Sequence, residues 1–442
     1  MLKREISLLQ ASAINMIDMV GIGPFVVMPL VISTMGSNLF LWAWILGALT
    51  AFMDGMIWSE LGAAYPLAGG SYNFLKEAYG PKWGRMMSFL FVWQTCIQAP
   101  LVVASGAIGF AQYFKYLVPL SFLQEKAVSG GVVVLVTLLL YRNIKTIGRI
   151  SVFLWMGVLV TLLWIIIGGF THKQIDYTFL PDKGSDLIAP AFLALLLPAS
   201  VRTVYSYLGY YNVCHLGSEI SQPQKNIPRS IFISVIGIAF LYLCMNVSIV
   251  SVIPWQEAQH SSFIVSSFIE RIYGSRAAQF ATGLVLWIAF ASLFAVMLGY
   301  SRVPYAAAAD NNFFSIFARL HPKKHFPYVS LLFMGAFGFV FSLLFKLSDV
   351  ISAILAMRIL VQFIAQAVGV VLLRRKNKGQ VPYKMWLYPI PVIISVFVWL
   401  CLLYNTGTYA FWGCALAATG AVIYFLKKGL ERNGSQSPAE SQ

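Results

Sequence analysis

Two short stretches place polar and backbone chemistry inside otherwise apolar sequence. The first is Asp18-Met19-Val20-Gly21-Ile22-Gly23-Pro24-Phe25, with apolar runs from Leu8 to Val20 and from Phe25 to Ile32. Two glycines one residue apart, followed by proline, make a poor helix interior: glycine is entropically costly there, and proline lacks a donor and clashes with the preceding turn. At membrane depth the freed backbone groups need protein or a watery cavity to satisfy them. A half-helix starting after Gly23 aims unpaired N–H groups and its positive dipole end at such a cavity, which suits a carboxylate. A kink that only aids packing accounts for the same residues, since Gly and Pro are frequent in membrane helices.

The second stretch is Ser206-Tyr207-Leu208-Gly209-Tyr210-Tyr211-Asn212, which follows an apolar run from Leu187 to Tyr205 and leaves only a short segment to Gly217. A half-helix ending near Tyr205 offers unpaired carbonyls and a negative dipole end, suited to an ammonium. One break favours a carboxylate and the other an amine, so together they favour an α-amino acid. The two breaks fall in corresponding spans, 1 and 6, of two five-span halves. That pattern is expected of inverted repeats with the site at their interface.

Ionisable residues at membrane depth are costly and usually face the bundle interior. Asp18 lies one helical turn before the first break, where it can pair with a cationic substrate group, take up a coupling proton, or serve as a structural partner. Asp54, well inside span 2, is expected to pair with Arg202 or Arg358 as structural glue, with a coupling or gating role as the alternative. Arg202, one turn before the second break, is a candidate for substrate carboxylate or for an outer gate, and Arg358 in span 10 is similar. Glu60, Glu219, Arg302 and Asp310 lie near span ends, as an inner-gate network or as solvated interfacial charges. The five histidines lie in loops or near span ends and receive no role. The five cysteines fall in or beside apolar spans, with no pairing that suits a metal or a disulfide.

These features need a scaffold, and the composition supplies one. Hydrophobic residues make up 59% of the 442, charged residues 11%, and mean hydropathy is +0.75. Soluble chains carry about 25% charged residues, so this is a polytopic membrane protein. The net charge of +15 does not read as nucleic-acid binding, because the basic residues occupy short loops without stacked-aromatic motifs. Apolar runs long enough to span place helices near 10–33, 38–64, 84–114, 127–141, 147–170, 187–217, 229–254, 278–306, 328–346, 350–373, 386–404 and 408–426. With the N-terminus cytoplasmic, 22 Lys and Arg lie on that side and 7 on the other. Both termini are therefore expected in the cytoplasm of a cell that holds the chain in its inner or plasma membrane. The first apolar stretch, behind Lys3-Arg4, reads as an uncleaved anchor. Residues 71–80 read as an amphipathic helix in the interface, anchored by Tyr72, Phe74, Leu75 and Tyr79.

At this point the sequence resembles the amino acid–polyamine–organocation superfamily, and within it the bacterial permeases related to L-type amino acid transporters. Four stretches carry the likeness: Gly21-Ile22-Gly23; Glu60-Leu61 through Pro66, with Gly69-Gly70, Tyr72 and Gly80; Gly209 with Glu219, Pro223, Lys225, Pro228 and Arg229; and Ser301-Arg302 through Asp310, with His321-Pro322 and Pro327. Their order and spacing agree over roughly residues 5–375. The resemblance implies spans 1 and 6 unwound around the substrate, with carboxylate contacts from the Gly21–Gly23 backbone and amine contacts from carbonyls around Tyr205–Leu208. It places Tyr205 where an aromatic closes over the substrate in antiporters. Departures exist: Met156-Gly157-Val158 stands where proton-coupled relatives often carry a lysine, and Tyr211 where some carry an acid. Ser292, in span 8, lies where sodium-coupled cousins place hydroxyl ligands, although one Ser in an apolar helix is more often a packing residue.

The resulting expectation is an all-α membrane protein of about 12 transmembrane helices, a 5+5 inverted repeat with broken helices 1 and 6, plus two C-terminal helices. Residues 1–430 form one transporter domain, with repeats at about 8–170 and 187–374 and extra helices at about 386–426. The polar tail 431–442 is expected to be disordered. The expected activity is secondary transport of amino acids by alternating access, as proton-coupled symport or exchange, with no cofactor, metal or covalent chemistry. The site comprises Asp18, Gly21, Ile22, Gly23 and Tyr205 through Gly209, with Gly106, Gly109 and a break at Gln98-Ala99-Pro100 shaping the floor. A polyamine or cationic amino acid is the alternative cargo. A channel or an intramembrane enzyme is the alternative class, although no charged ring and no nucleophile–base cluster supports either. A partner subunit is left unassigned.

Overall fold

The computed structural model describes residues 2–178, 189–376 and 381–434, so most of the polar tail, with Lys183 and Lys378, lies outside the described residues. Each apolar run folds as helix. Span 1 is Leu8–Met19 (1a) and Gly23–Met35 (1b); spans 2 to 5 are Leu41–Ala64, Gly80–Leu117, Phe122–Leu140 and Ile144–Thr171. Span 6 is Pro190–Tyr207 (6a) and the short Asn212–His215 (6b), and spans 7 to 9 are Pro223–Val250, Ser275–Tyr300 and Tyr328–Leu344. Span 10 runs as Leu347–Arg358, Ile359–Ile364 and Ala365–Lys376, followed by spans 11 (Ile390–Asn405) and 12 (Thr408–Gly434).

Local chemistry sets several of these ends. Ser7 and Gln10 form a reciprocal capping box that starts 1a, satisfying two otherwise orphaned donors. Span 1 breaks with a bend of 43° between its halves, and 1b opens with Pro24, whose missing N–H is harmless in a first turn. Gly36 ends 1b in the left-handed region at φ 57°, the usual glycine solution for a helix stop.

Spans 3 and 8 form the centre, with 72% of the most apolar window of each buried, whereas span 12 has 11% buried and lies on the periphery. Around that centre span 2 packs on 6a and span 7 packs on 1a. Span 8 also packs against 1a and 6b, so both breaks face it.

Two expectations about the fold are corrected. The segment after span 2 does form a helix, Ser71–Ala78, but Tyr72, Phe74 and Leu75 are buried against spans 3 and 10 and do not anchor in lipid. Its polar residues are used internally too: Ser71 donates to Gln366 at 2.5 Å and Tyr72 to Asp310 at 2.5 Å. Span 3 does not break at Gln98-Ala99-Pro100; Pro100 is accommodated within one continuous helix. The irregular helix is instead span 10, where residues 359–364 take up π-helical turns directly after Arg358. Such turns are rare and concentrate at functional sites.

Candidate functional site

The two breaks meet around a central cavity of about 60 Å3. From span 1 its walls are Asp18, Met19, Gly21, Ile22 and Gly23; from span 6 they are Tyr205, Ser206, Leu208, Gly209 and Tyr211. Span 3 adds Val102, Ser105 and Gly106, span 8 adds Ser292, Leu293, Val296 and Tyr300, and span 10 adds Arg358. Eight of the nine expected binding residues therefore line one space, joined by Tyr211, Ser292 and Arg358. Tyr207 is the exception. Its ring is fully buried on the far side of 6a, edge-on to Trp44 at 6.1 Å and beside Tyr242 at 5.2 Å.

Close backbone approach explains the glycines. A Cβ on Gly21 would stand 2.7 Å from the Ser292 hydroxyl, so span 8 can touch the break only because the side chain is missing. Gly209 has φ +124°, a conformation L side chains rarely adopt, and a Cβ there would meet the backbone of Asp18 and Met19 at 2.7–2.8 Å. The N–H groups of Gly21 and Ile22 have no backbone partner among the described residues, and neither lies within a regular helix.

The freed carbonyls are partly claimed by the protein. Tyr242, buried in span 7, donates its hydroxyl to Met19 O at 2.7 Å and also approaches Ser206 O at 3.2 Å. One hydroxyl thus ties the first break to the second. Leu208 N–H donates to Tyr205 O at 3.2 Å, leaving that carbonyl a further lone pair. Below the cavity, Asn212 donates to Asp18 at 2.8 Å and to Ala295 O at 2.8 Å, while Asn15 accepts from the Val213 N–H at 2.9 Å. Half-helix 6b is held by 1a and span 8 through these side chains.

The charged candidates separate. Asp54 makes no ion pair among the described residues: it accepts from Tyr210 at 2.6 Å and from the Trp399 indole at 3.3 Å, outside the cavity. The expected partnership with Arg202 or Arg358 is corrected, because neither arginine reaches it. Arg202 also lies off the cavity, donating to Leu30 O at 3.0 Å and to the Thr34 hydroxyl, which fastens 6a to 1b. Arg358 is the cation in the cavity wall. It donates to the Tyr211 hydroxyl at 2.5 Å and to the Tyr300 hydroxyl. His215, given no role from sequence, is fully buried in 6b among Trp58, Phe91, Tyr211 and Tyr300.

Both approaches to the cavity are closed. On the side of 1b and 6a, the Tyr205 hydroxyl shares a 3.0 Å hydrogen bond with Ser105 of span 3, and Tyr205, like Val26, packs against Ile108 and Leu347. On the opposite side Arg302 grips Glu219 through two bonds of 2.9 and 3.0 Å, with both side chains buried. Arg374 pairs with Glu60, and Lys76 with Asp310, at 2.5 Å each. These pairs join the segment after 6b to the segment after span 8, span 2 to span 10, and the Ser71–Ala78 helix to Asp310 in the segment after span 8. Glu60, Glu219, Arg302 and Asp310, placed near span ends from sequence, thus all take part in ion pairs on this side. Tyr242 and the partners Arg374 and Lys76 carried no sequence signal, since each is an ordinary residue type until the fold sets it opposite its partner.

Known proteins are similar in sequence over most of the chain. The chain is 26% identical over 406 residues to the serine/threonine exchanger SteT of Bacillus subtilis, covering 89% of each chain. It is 27% identical over 441 residues to the human large neutral amino acids transporter small subunit 2, covering 96% of this chain and 80% of that protein. It is 23% identical over 456 residues to the branched-chain amino acid permease BcaP of Bacillus subtilis, covering 96% and 93%. The family described as Amino acid permease matches residues 6–425, nearly the whole chain, and the protein, a multi-pass secondary amino acid transporter and no enzyme, belongs to that family.

Proposed function

We propose that the central cavity holds a small amino acid with a neutral side chain. The supporting observation is the pairing of one acidic and one basic side chain in its wall. Asp18 takes its hydrogen bond from Asn212 and Arg358 gives its bonds to tyrosines, so neither neutralises the other by direct contact. Their formal charges cancel, which suits a zwitterion. A polyamine or a cationic amino acid would set additional positive charge beside Arg358 at low dielectric, where like charges cost most. The unpaired N–H groups of Gly21 and Ile22 supply the carboxylate side, and the Tyr205 carbonyl with Asp18 the amine side. Size points the same way: the cavity of about 60 Å3 compares with about 10–15 Å3 per water, and the relative SteT is named a serine/threonine exchanger.

In this reading Tyr205 is the gate on the 1b–6a side, and the Glu219–Arg302 pair closes the other. Asp18 is the candidate coupling residue, and Ser292 lies against the break as a secondary contact. The two five-span halves, about 8–170 and 187–374, would rock about the fixed site. The excess of 22 basic residues over 7 supports a cell-membrane protein with both termini in the cytoplasm.

The test is uptake and counterflow in proteoliposomes with labelled serine, alanine, leucine, tryptophan, arginine and putrescine, with and without proton and sodium gradients. Serine or alanine should be carried, and putrescine should not. Transport of putrescine or arginine in preference to the neutral set would overturn the charge argument. Gradient-driven accumulation that collapses in Asp18→Asn, while counterflow survives, would identify the coupling residue.

A further inference from the structure

A groove of about 480 Å3 opens on the bundle perimeter between span 7 and the segment before span 11, and it shares no residue with the central cavity. Its shelf is aromatic: Phe232 stacks on Trp386 at 5.5 Å and 9°, with Phe52 5.7 Å and Tyr383 6.2 Å from the same ring. Its rim is cationic. Lys225 and Arg229, one turn apart on span 7, are exposed, and neither takes part in an ion pair among the described residues. The Tyr383 hydroxyl is buried without a hydrogen-bond partner among those residues. Further along span 7 the exposed side chains turn apolar, with Ile233, Ile236 and Phe240 at 46, 56 and 66%.

This sequence of features, cations, then an aromatic shelf, then an apolar track running into the membrane, matches one amphiphile. A soluble anion leaves the shelf and track unexplained, and a zwitterionic lipid leaves two unpaired cations unexplained. We propose that the groove binds an anionic phospholipid. Its phosphate sits on Lys225 and Arg229, and an acyl chain follows Ile233 and Ile236. The inference rests on the membrane placement of the chain and is independent of the cargo.

The site touches the side of the transporter closed by the ion pairs. Trp386 follows Met385, whose N–H donates to Glu60 at 2.8 Å, and Glu60 is the partner of Arg374 in span 10. A lipid packed against Trp386 steadies this link between spans 2 and 10.

The experiment uses the full chain in nanodiscs of phosphatidylcholine containing either brominated phosphatidylglycerol or brominated phosphatidylcholine at equal mole fraction. The difference in tryptophan quenching between the wild type and Trp386→Phe isolates the Trp386 signal. Local enrichment of the anionic lipid on the order of tenfold is expected from two basic residues, so phosphatidylglycerol should quench Trp386 several-fold more. Lys225→Gln with Arg229→Gln should abolish the preference, while the charge-preserving pair Lys225→Arg with Arg229→Lys should keep it. Native mass spectrometry of the same proteins should show retained phosphatidylglycerol in the wild type and its loss in the Gln pair. Equal quenching by both lipids in the wild type, or a preference that survives in the Gln pair, would refute the site.

Discussion

Arg358 of span 10 and Tyr211 of span 6 meet through a 2.5 Å hydrogen bond at the base of the central cavity, one residue ahead of the π-helical turns. A second bond, to Tyr300 of span 8, makes the guanidinium a junction of three spans. A lysine carries the charge but not the planar fork that holds two hydroxyls at once. Arg358→Lys should therefore fold and lose transport by at least about tenfold, the equivalent of a single lost charge-assisted bond. Arg358→Ala removes the charge as well, leaves the Tyr211 and Tyr300 hydroxyls only their own 3.4 Å contact and should lower thermal stability. Proteoliposome uptake and a melting curve for each variant check this, and full activity in the lysine variant would count against the junction.

Gly21 and Ser292 offer a cleaner steric test, because the obstructing group is a side chain. Gly21→Ala places a Cβ 2.7 Å from the Ser292 Oγ and 3.2 Å from its Cβ. The single variant should lose most uptake. Adding Ser292→Gly removes both atoms and should restore a large part, giving a coupling energy of about 0.5–3 kcal/mol in the double-mutant cycle. Gly209→Ala should find no such rescue, since it meets backbone and carries φ +124°. Additive losses at positions 21 and 292 would mean that the contact is not what the glycine provides.

These cases show what the sequence can and cannot convey. The break at Gly21–Pro24 and the one after Tyr207 were legible because glycine and proline act locally, through backbone preferences that need no knowledge of neighbours. Asp18, Tyr205 and Ser206 followed from their distance to those breaks. Asp54 was misjudged because a buried carboxylate can be satisfied by neutral donors, here Tyr210 and Trp399, as well as by an arginine. The Ser71–Ala78 helix reads as interfacial from sequence because amphipathicity shows only that one face is covered. Spans 3 and 10 cover it, and no local signal identifies them. Arg358 needed the fold to bring span 10 to the cavity, and Tyr242 is one of 21 tyrosines with nothing to distinguish it in one dimension.

Tyr242 bridges the breaks, so its hydroxyl should matter more than its ring. Tyr242→Phe keeps the contacts with Trp44 at 5.5 Å and Tyr207 at 5.2 Å while stranding the carbonyls of Met19 and Ser206. Each buried polar group left without a partner costs about 1–3 kcal/mol, so the melting temperature should fall measurably. Substrate affinity should weaken as well, because the carbonyls beside the site lose their fixed direction. A phenylalanine variant with unchanged melting and unchanged KM would show that water replaces the hydroxyl.

The ion pairs on the side opposite Tyr205 should respond differently to mutation and to acid. Glu219 and Arg302 are both about 2% exposed or less, so Glu219→Gln leaves a buried guanidinium without its counter-charge. Breaking such a pair costs about 3–5 kcal/mol, enough to open that side or unfold the chain. Lys76 and Asp310 are about a third exposed, and solvent screens them. Partial burial would raise the Asp310 carboxyl, but the hydrogen bonds from Lys76 and Tyr72 outweigh it and hold it below the ordinary carboxylate value of 3.8. A depressed carboxyl stabilises the fold above its unfolded value, and that contribution disappears as pH falls through the folded one. Melting measured in detergent from pH 7 downwards should therefore stay flat with respect to this pair until the pH is below about 4. Asp310→Asn should remove the acid-dependent part at that end while lowering neutral-pH stability only slightly. If Glu219→Gln proves as mild as Asp310→Asn, burial is not what gives the Arg302 pair its strength.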